Sequence, residues 1–560
     1  MGALGGKRRR VLIVGGVAGG ASCAARLRRL DENCDIIVFD RGPYVSFANC
    51  GLPYYVGNVI QDERHLLVAT RELFQKRFNI DVQTLTEARS IDAANRLLTV
   101  CDLRSGAVRA EPYDVLVLAP GAAPIRPSCP GTDLPGVFSV RSIPDSRKIR
   151  AWIEEQRPER AVVVGGGLIG LEMVENLSQR GLKVCVLEKL DQIVPPLDPE
   201  MASWVAAHLR AHGVELHLND GLRAIETENS QLCVVTEKGH RHRAGMVILA
   251  LGVKPEIDLA RSAGLTIGPR GGIVVDDQMR TSDPHIWAVG DAVEVQHVVT
   301  GQEVILPLAG PANRQGRIAA DSIAGRASSF RGVQGTAIVG VFGLTVACTG
   351  ATEKGLKRAG VSGYRTIYLH PGHHASYYPG AKPIHLKLIF SVPEGKVLGA
   401  QAVGEEGVDK RIDVIAAAIQ FHATVGDLAE GEFCYAPQFG AAKDPVNVAG
   451  MIAQNVLCGD VELADWSRLH DHDIVLLDVR EPDEYARGHI PGALSIPLTE
   501  LRQRWQELPA HREIYVYCGV GQRAYFAARF LRHAGCRVAN LSGGYETYLA
   551  LRTAGLVAGS

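Results

Sequence analysis

The sequence predicts an α/β protein of several domains, on two observations. A short apolar run, a glycine-rich turn, an amphipathic helix and a second apolar run ending in a carboxylate occur twice, at 11–40 and at 161–188. The last hundred residues alternate short apolar strands with helices in a module of their own. A continuous apolar run giving way to a 3.6-residue period is the mark of β–α–β order. A chain of 560 residues is long enough for roughly three or four domains.

Taken in order, Val11 to Val14 is a strand, followed by a helix to about Leu30 and a strand Ile36 to Phe39 ending in Asp40. The second copy runs from Ala161 to Val164, turns at Gly165 to Gly170, continues as a helix to about Arg180, and ends with Val184 to Leu187 and Glu188. A strand and turn follow each copy, Val115 to Gly121 and Val247 to Gly252, and then comes the segment Thr281 to Asp291. The simplest organisation inserts the second copy into the first, giving domains at 1–120 with 262–330 and at 121–261. Strands such as Ile384 to Phe390 and helices such as Arg411 to His422 make 331–455 an α+β domain, and 463–560 is the terminal α/β module.

Composition excludes several classes. A net charge of -1 gives no broad attraction to nucleic acid or anionic membrane. The 12 cysteines are scattered, which fits reduced thiols in the cytoplasm rather than a disulfide scaffold, and most, such as Cys185, read as buried filler. Lys7 to Arg10 before an apolar run imitates a secretory leader, but the glycines that follow have the spacing of a phosphate-binding turn. No run of 18 apolar residues exists, so no membrane span is expected.

The first turn has Gly15, Gly16, Gly19 and Gly20, with Val17 at the middle position of G-x-G-x-x-G and Ala18 after it. A tight turn at Gly15 and close packing at Gly20 aim helix N–H groups at a pyrophosphate, with Asp40, and Arg41 beside it, at ribose distance. The second turn, Gly165, Gly167 and Gly170, matches the full fingerprint. Glu188 suits a ribose 2′-hydroxyl and repels a 2′-phosphate, which favours NADH; the adjacent Lys189 keeps NADPH open.

Together with Thr281 to Asp291, these units resemble the two-dinucleotide-binding flavoprotein reductases over roughly 10–455. The resemblance implies two nested Rossmann-like domains. FAD would lie on Gly15, Gly16, Ala18, Gly19, Gly20, Asp40, Arg41 and Gly121, with Gly290 and Asp291 at its ribityl chain. The nicotinamide cofactor would lie on Gly165, Gly167, Gly170, Glu188 and Gly252.

Cys50 stands in Ser46-Phe-Ala-Asn-Cys-Gly-Leu-Pro-Tyr-Tyr55 with no second cysteine shortly after it. A lone thiol must cycle against sulfur or oxidant from outside the chain. The segment resembles the coenzyme A-disulfide reductase branch, with its NADH oxidases, peroxidases and persulfide reductases. That implies a Cys50 thiolate of depressed pKa beside the flavin, receiving electrons that start on NADH. It also implies coenzyme A contacts at Arg29, Ser46 and Asn49, with Arg26 adding charge near the phosphates. His373 to Gly380 and Phe433 to Asn447 resemble the same branch's dimerisation domain. There one tyrosine from each segment, here Tyr377 (or its neighbour Tyr378) and Tyr435, reaches the partner subunit's site and gives a proton to a leaving thiolate. His370, His373 and His374 lack a separate ligand cluster, so no metal is expected.

Leu477 to Ala493, Tyr515 to Ala524 and Leu541 to Tyr545 resemble the rhodanese sulfurtransferase module. Cys518 would carry sulfane sulfur in a loop of inward backbone N–H groups at a helix start. Four residues separate it from Arg523, where the phosphatase loop has five, and Arg523 is expected to order the loop and offset its anion.

The implied activity is NAD(P)H-dependent reduction of persulfide, polysulfide or coenzyme A disulfide through Cys50, with FAD, coenzyme A and sulfane sulfur on Cys518, releasing hydrogen sulfide or thiol. The implied enzyme is a cytoplasmic homodimer acting on small thiols and persulfides. Two rivals stay open: an NADH oxidase or peroxidase using a Cys50 sulfenic acid, and a sulfur-relay or redox-sensing protein.

Overall fold

The computed structural model describes residues 8–229, 231–509 and 511–557; Lys7, at the head of the basic run, lies outside them. The chain divides into two compact units, Met1–Leu187 with Asp220–Val333, and Glu188–Asn219 with Gln334–Ser560.

The first unit is built on two parallel sheets. In one, the strands Ile286–Ala288, Val115–Leu118, Arg10–Val14, Asp35–Asp40 and Asp81–Thr84 lie in that order, with Val14 level with Phe39 and with Leu118. Val11, Leu12 and Ile13 are completely buried, as continuous apolar runs covered on both faces must be. The helix Ala18–Leu30 lies against Ala309–Ile323, so close that a Cβ on Gly316 would sit 2.2 Å from the Gly19 carbonyl oxygen. In the other sheet Arg160–Val164 pairs in parallel with Lys183–Leu187 and Met246–Leu249, and the last of these with Val137–Phe138. The two copies read from the sequence thus share one plan.

In the second unit an antiparallel sheet runs in the order Ala337–Val341, Leu344–Gly350, Val397–Gly404, Ile384–Ser391, Tyr364–Leu369. Its core holds a charge. Lys387 is fully buried, and its Nζ lies 2.8 Å from Asp198, 2.5 Å from Glu200 and 3.0 Å from Glu353. Gln401 donates to the same Asp198 carboxylate at 2.6 Å, and the Tyr368 hydroxyl donates to Glu200 at 3.0 Å. One cation therefore gathers side chains from the helices Pro199–Ala211 and Glu353–Arg358 and from the sheet.

The terminal module has a parallel sheet in the order Leu494–Ser495, Ile474–Asp478, Glu513–Tyr517, Val538–Asn540. Alternation along the strands divides its core. Val475, Leu477, Ile514 and Val516 face the helix Gln522–His533, while Ile474, Leu476, Tyr515 and Tyr517 face Gly544–Thr553. The module is seated on the antiparallel sheet's edge strand. Tyr368 N–H donates to Ser542 Oγ at 2.8 Å, and His370 Nε2 lies 2.9 Å from Thr547 Oγ1. Covering the edge in this way removes a pairing surface that an exposed strand would offer.

Lys387→Met is expected to cost the second unit about 3–5 kcal/mol, because it leaves buried carboxylates without their cation. A lower urea midpoint for the antiparallel-sheet domain checks this. The pH dependence should also reverse. Burial alone would raise Asp198 and Glu353, but Lys387 holds both below the usual carboxylate range. In the parent protein their contribution is therefore full above the unfolded carboxylate pKa of about 4 and lost as pH falls through the depressed folded values. In the variant the carboxylates protonate more readily when folded, so its deficit shrinks as pH falls.

Candidate active site and sulfur-binding loop

Both glycine turns rest on the same contact. Gly15 has φ +95°, and a Cβ there would lie 2.0 Å from the Ala119 carbonyl oxygen; a Cβ on Gly20 would lie 1.9 Å from the Gly15 oxygen. In the second turn Gly165 has φ +109° and would meet the Ala250 oxygen at 2.3 Å, while Gly170 would meet the Gly165 oxygen at 2.0 Å. The helices that follow, Ala18–Leu30 and Leu168–Gln179, have no side-chain cap and no acidic residue in the first turn. Their first N–H groups therefore present positive potential to an incoming anion. Nothing lies within 4 Å of a Cβ placed on Gly167, so that turn has room for a pyrophosphate. The Asp40 carboxylate accepts from the N–H groups of Gly16 at 2.9 Å and Gly42 at 2.8 Å, which fixes it beside the first turn. Burial raises its pKa and that of Asp291. Gly290 N–H is held by Gln315 Oε1 at 2.7 Å, and Arg41 pairs with Glu256. Gly121 and Gly252 have φ +74° and +89° at the ends of their turns. Glu188 is buried, and its carboxylate accepts from Leu190 N–H at 2.8 Å. These residues fit two dinucleotides.

Cys50 sits in the 3-10 turn Asn49–Gly51, ahead of the helix Leu52–Val56. Ser46 directs the chain there: its φ is +45°, its N–H donates to the Gly16 oxygen at 2.7 Å, and its own oxygen accepts from Val68 at 2.8 Å. The short helix is pressed onto Leu168–Gln179, where Gly57 leaves no space for a Cβ beside Asn176. Tyr54 and Glu172 thereby meet, hydroxyl to carboxylate at 3.5 Å. Burial, opposed by Tyr54 and assisted by Glu175, raises Glu172 to about 7; burial and Glu172 together raise Tyr54 to about 12. Cys50 is exposed, yet its pKa is raised, by partial desolvation first and then by Glu172 and Asp291. The chain's own charges that act on this sulfur are carboxylates, so the depressed value expected from the sequence belongs to the thiol beside a bound flavin and not to the chain by itself. With its amide turned to satisfy both partners, Asn49 accepts from Arg141 Nη1 at 2.9 Å and donates to the Phe47 oxygen at 3.3 Å. Arg141 also opposes the raised pKa of Asp40 and Asp291. Arg29 is exposed, whereas Arg26 is engaged by Asp321 at 2.7 Å, so its charge is already matched.

Tyr377 and Tyr435 are joined hydroxyl to hydroxyl at 2.5 Å and are 72% and 49% exposed. Tyr378 instead packs edge-on against His374. The two tyrosine segments are tied together behind the pair by the buried Arg411, which donates to the His373 oxygen at 2.7 Å and to both Asp444 oxygens. The hydrogen bond to Tyr435 raises the pKa of Tyr377, keeping it protonated. His370 lies 2.9 Å from His385 Nδ1, and burial lowers it to about 3, so it is neutral near pH 7.

Cys518 is buried at the end of Glu513–Tyr517. Gly521, at φ +94°, donates its N–H to the sulfur at 3.2 Å and begins the helix Gln522–His533 without a side-chain cap. The outer side of the loop is fastened by Tyr545 and Glu546, whose N–H groups donate to the Cys518 and Gly519 oxygens at 2.8 and 3.1 Å. Arg523 borders the thiol and forms a two-pronged pair with Glu484, at 2.6 and 2.7 Å.

Several of these residues had weak or no signals in the sequence. Glu172 and Glu484 lie inside motifs but carry no fingerprint letter of their own. Arg141, Tyr54, Gln315 and the Arg411–Asp444 brace are joined only by folding.

Glu172→Gln should lower the pKa of Cys50, because it removes the larger of the two carboxylate charges that raise it. The pH profile of Cys50 alkylation, read on its peptide, should move to lower pH; an unmoved profile would assign the raised value to burial and Asp291.

Residues 9–316 match the pyridine nucleotide-disulphide oxidoreductase family, 336–444 its dimerisation domain, and 465–551 the rhodanese-like domain. The chain is 35% identical over 446 residues to a coenzyme A disulfide reductase of Staphylococcus epidermidis, covering 80% of this chain and 100% of that one. Among solved structures it is similar to the reduced CoADR-RHD of Bacillus anthracis, with TM-score 0.95 and 47% identity over 98% of this chain and 99% of that one. It is also similar to an NAD-dependent persulfide reductase from A. fulgidus, with TM-score 0.90 and 40% identity over 96% and 100%. With the first match alone spanning more than half of its length, the chain belongs to the pyridine nucleotide-disulphide oxidoreductase family.

Proposed function

We propose that this protein is an FAD-dependent NAD(P)H oxidoreductase that reduces persulfides and coenzyme A disulfide at Cys50 and handles sulfane sulfur at Cys518. The observation that carries this reading is the pairing of two unlike thiols in one chain. Cys50 is exposed, without a neighbouring cysteine, beside carboxylates; Cys518 is cradled by a backbone N–H at a helix start. The chain is organised as an FAD-binding domain at 1–120 and 262–330, an NAD(P)H-binding domain at 121–261, a dimerisation domain at 331–455 and a rhodanese domain at 463–560.

The turn at Gly15 to Gly20 with Asp40 and Asp291 holds FAD, and the turn at Gly165 to Gly170 holds the nicotinamide dinucleotide, with NADH preferred. When bound, FAD supplies two-electron transfer between nicotinamide and sulfur. The Cys50 sulfur attacks the sulfane sulfur of R–S–SH and expels RSH. Two electrons and two protons, the equivalent of NADH + H⁺, then break the Cys50–S–SH bond and return Cys50 to its thiol state with release of hydrogen sulfide. The sum is NADH + H⁺ + RSSH → NAD⁺ + RSH + H₂S. Ser46, Asn49 and Arg29 position coenzyme A. The Tyr377–Tyr435 pair, in a homodimer, supplies the proton to the leaving thiolate; a phenol held protonated by its neighbour suits that task. Cys518 stores sulfane sulfur as Cys–S–S⁻ against the Gly521 N–H. No helix of the described residues is long and apolar enough to cross a membrane.

Anaerobic NADH consumption should rise on adding a small-molecule persulfide and exceed the rate with oxygen alone; the reverse order would favour an oxidase. Cys50→Ser should reduce persulfide turnover by at least about 100-fold, since the nucleophile is gone. Cys518→Ser should spare small persulfides and slow bulky or protein-borne ones.

A further inference from the structure

The Cys518 loop carries a charge arrangement that its sulfur chemistry alone does not require. Arg523, the one arginine of the loop sequence, is matched by Glu484 from the separate segment Pro482–Arg487. Two parallel N–H···O bonds compensate a guanidinium charge more fully than a single contact does. The pair stands over the loop: a Cβ on Gly519 would lie 3.8 Å from Arg523 Nη2 and 4.0 Å from Glu484 Oε1. The next arginine, Arg480, is likewise matched, by both oxygens of the buried Asp478. A further carboxylate, Glu546, hangs from the backbone N–H that fastens Gly519, and Val520, 43% exposed, gives the loop an apolar tip. Arg523 holds Glu484 at a pKa of about 2, so the match persists across the working pH range.

Sulfane donors differ in the charge they bring to such a loop. With thiosulfate the step is S₂O₃²⁻ + Cys518–S⁻ → SO₃²⁻ + Cys518–S–S⁻. The S–S bond of the donor breaks, a new one forms on Cys518, and the leaving group takes away the electron pair and a double charge. With a persulfide the step is R–S–S⁻ + Cys518–S⁻ → R–S⁻ + Cys518–S–S⁻, and the leaving thiolate carries one charge. A dianion arriving beside a thiolate calls for an unmatched cation, which Arg523 does not offer while Glu484 holds it.

We propose that Glu484 is a specificity-determining residue of the Cys518 site: by matching Arg523 it selects thiol persulfides, with a singly charged reacting end and an apolar body, over dianionic donors such as thiosulfate. Specificity here is a difference between two donors, set by withholding a favourable contact from one of them. This rests on the reading that Cys518 accepts sulfane sulfur.

The test is the rate at which one sulfur atom's mass is added to the Cys518 peptide in the full-length holoenzyme, with thiosulfate and with an alkyl persulfide of uncharged body as donors at constant ionic strength. Glu484→Gln should raise the thiosulfate rate relative to the persulfide rate by about tenfold, the effect of one unmatched unit charge several ångströms from the reacting anion at intermediate dielectric. Glu484→Asp, which keeps the charge, should remain near the parent ratio. A gain on one donor is not something misfolding produces. If Glu484→Gln does not accumulate as folded protein, sulfate added to the unaltered enzyme decides: persulfide loading should not slow, and strong competition would overturn the proposal. An unchanged donor ratio in Glu484→Gln would overturn it as well. Loading of Cys518 by neither donor in the unaltered enzyme is a different result, and would remove the sulfur-acceptor reading itself.

Discussion

Everything in the first unit depends on two places where a helix is pressed onto the strand before it with no side chain between them. The oxygens of Gly15 and Gly165 lie where a Cβ on Gly20 or Gly170 would have to sit. Backbone contact of this kind fixes the helix axis relative to the sheet and leaves the first-turn N–H groups facing outward, without a side-chain cap. The position of Cys50 follows from the first turn through Ser46, which is bonded to Gly16, and from the second through the helix Leu168–Gln179, which receives Leu52–Val56. One steric constraint, repeated, thus serves binding and also places the thiol.

The two candidate thiols are given opposite electrostatic settings. Around Cys50 the chain contributes carboxylates, Glu172 and Asp291, and a raised pKa. Such a thiol is restrained from reacting until something with positive potential adjoins it. Around Cys518 the chain contributes a backbone N–H and an arginine that Glu484 pairs with. The first arrangement suits a thiol that takes its reactivity from a bound group. The second suits one that holds an anionic sulfur chain without attracting every anion. Each setting joins a motif residue, Asp291 or Arg523, to a carboxylate beside a motif, Glu172 or Glu484.

The second unit shows how charge can organise a core. Lys387 lies in the strand that the sequence places at Ile384 to Phe390, and its three carboxylate partners come from positions as distant as 198 and 353. Desolvating one cation and three anions is tolerable only because the geometry is complete, with Gln401 and Tyr368 filling remaining hydrogen-bond sites. The same sheet presents Tyr368 to Ser542, so this core also underlies the seat of the rhodanese module.

What the sequence determined by itself was everything that depends on local spacing. The β–α–β order, the two glycine turns and their terminal carboxylates, the isolation of Cys50, and the four-residue gap between Cys518 and Arg523 are properties of neighbouring positions, where backbone geometry dictates residue type. What only the tertiary structure decided was charge and pairing. It showed that Arg26 is matched by Asp321, that Tyr377 rather than Tyr378 meets Tyr435, and that Glu484 satisfies Arg523. It also showed that the chain's own charges acting on Cys50 are carboxylates. The reason is physical: an ionisable group's behaviour is set by solvation and by charges within a few ångströms, and those neighbours are brought together by folding from positions that no spacing rule connects.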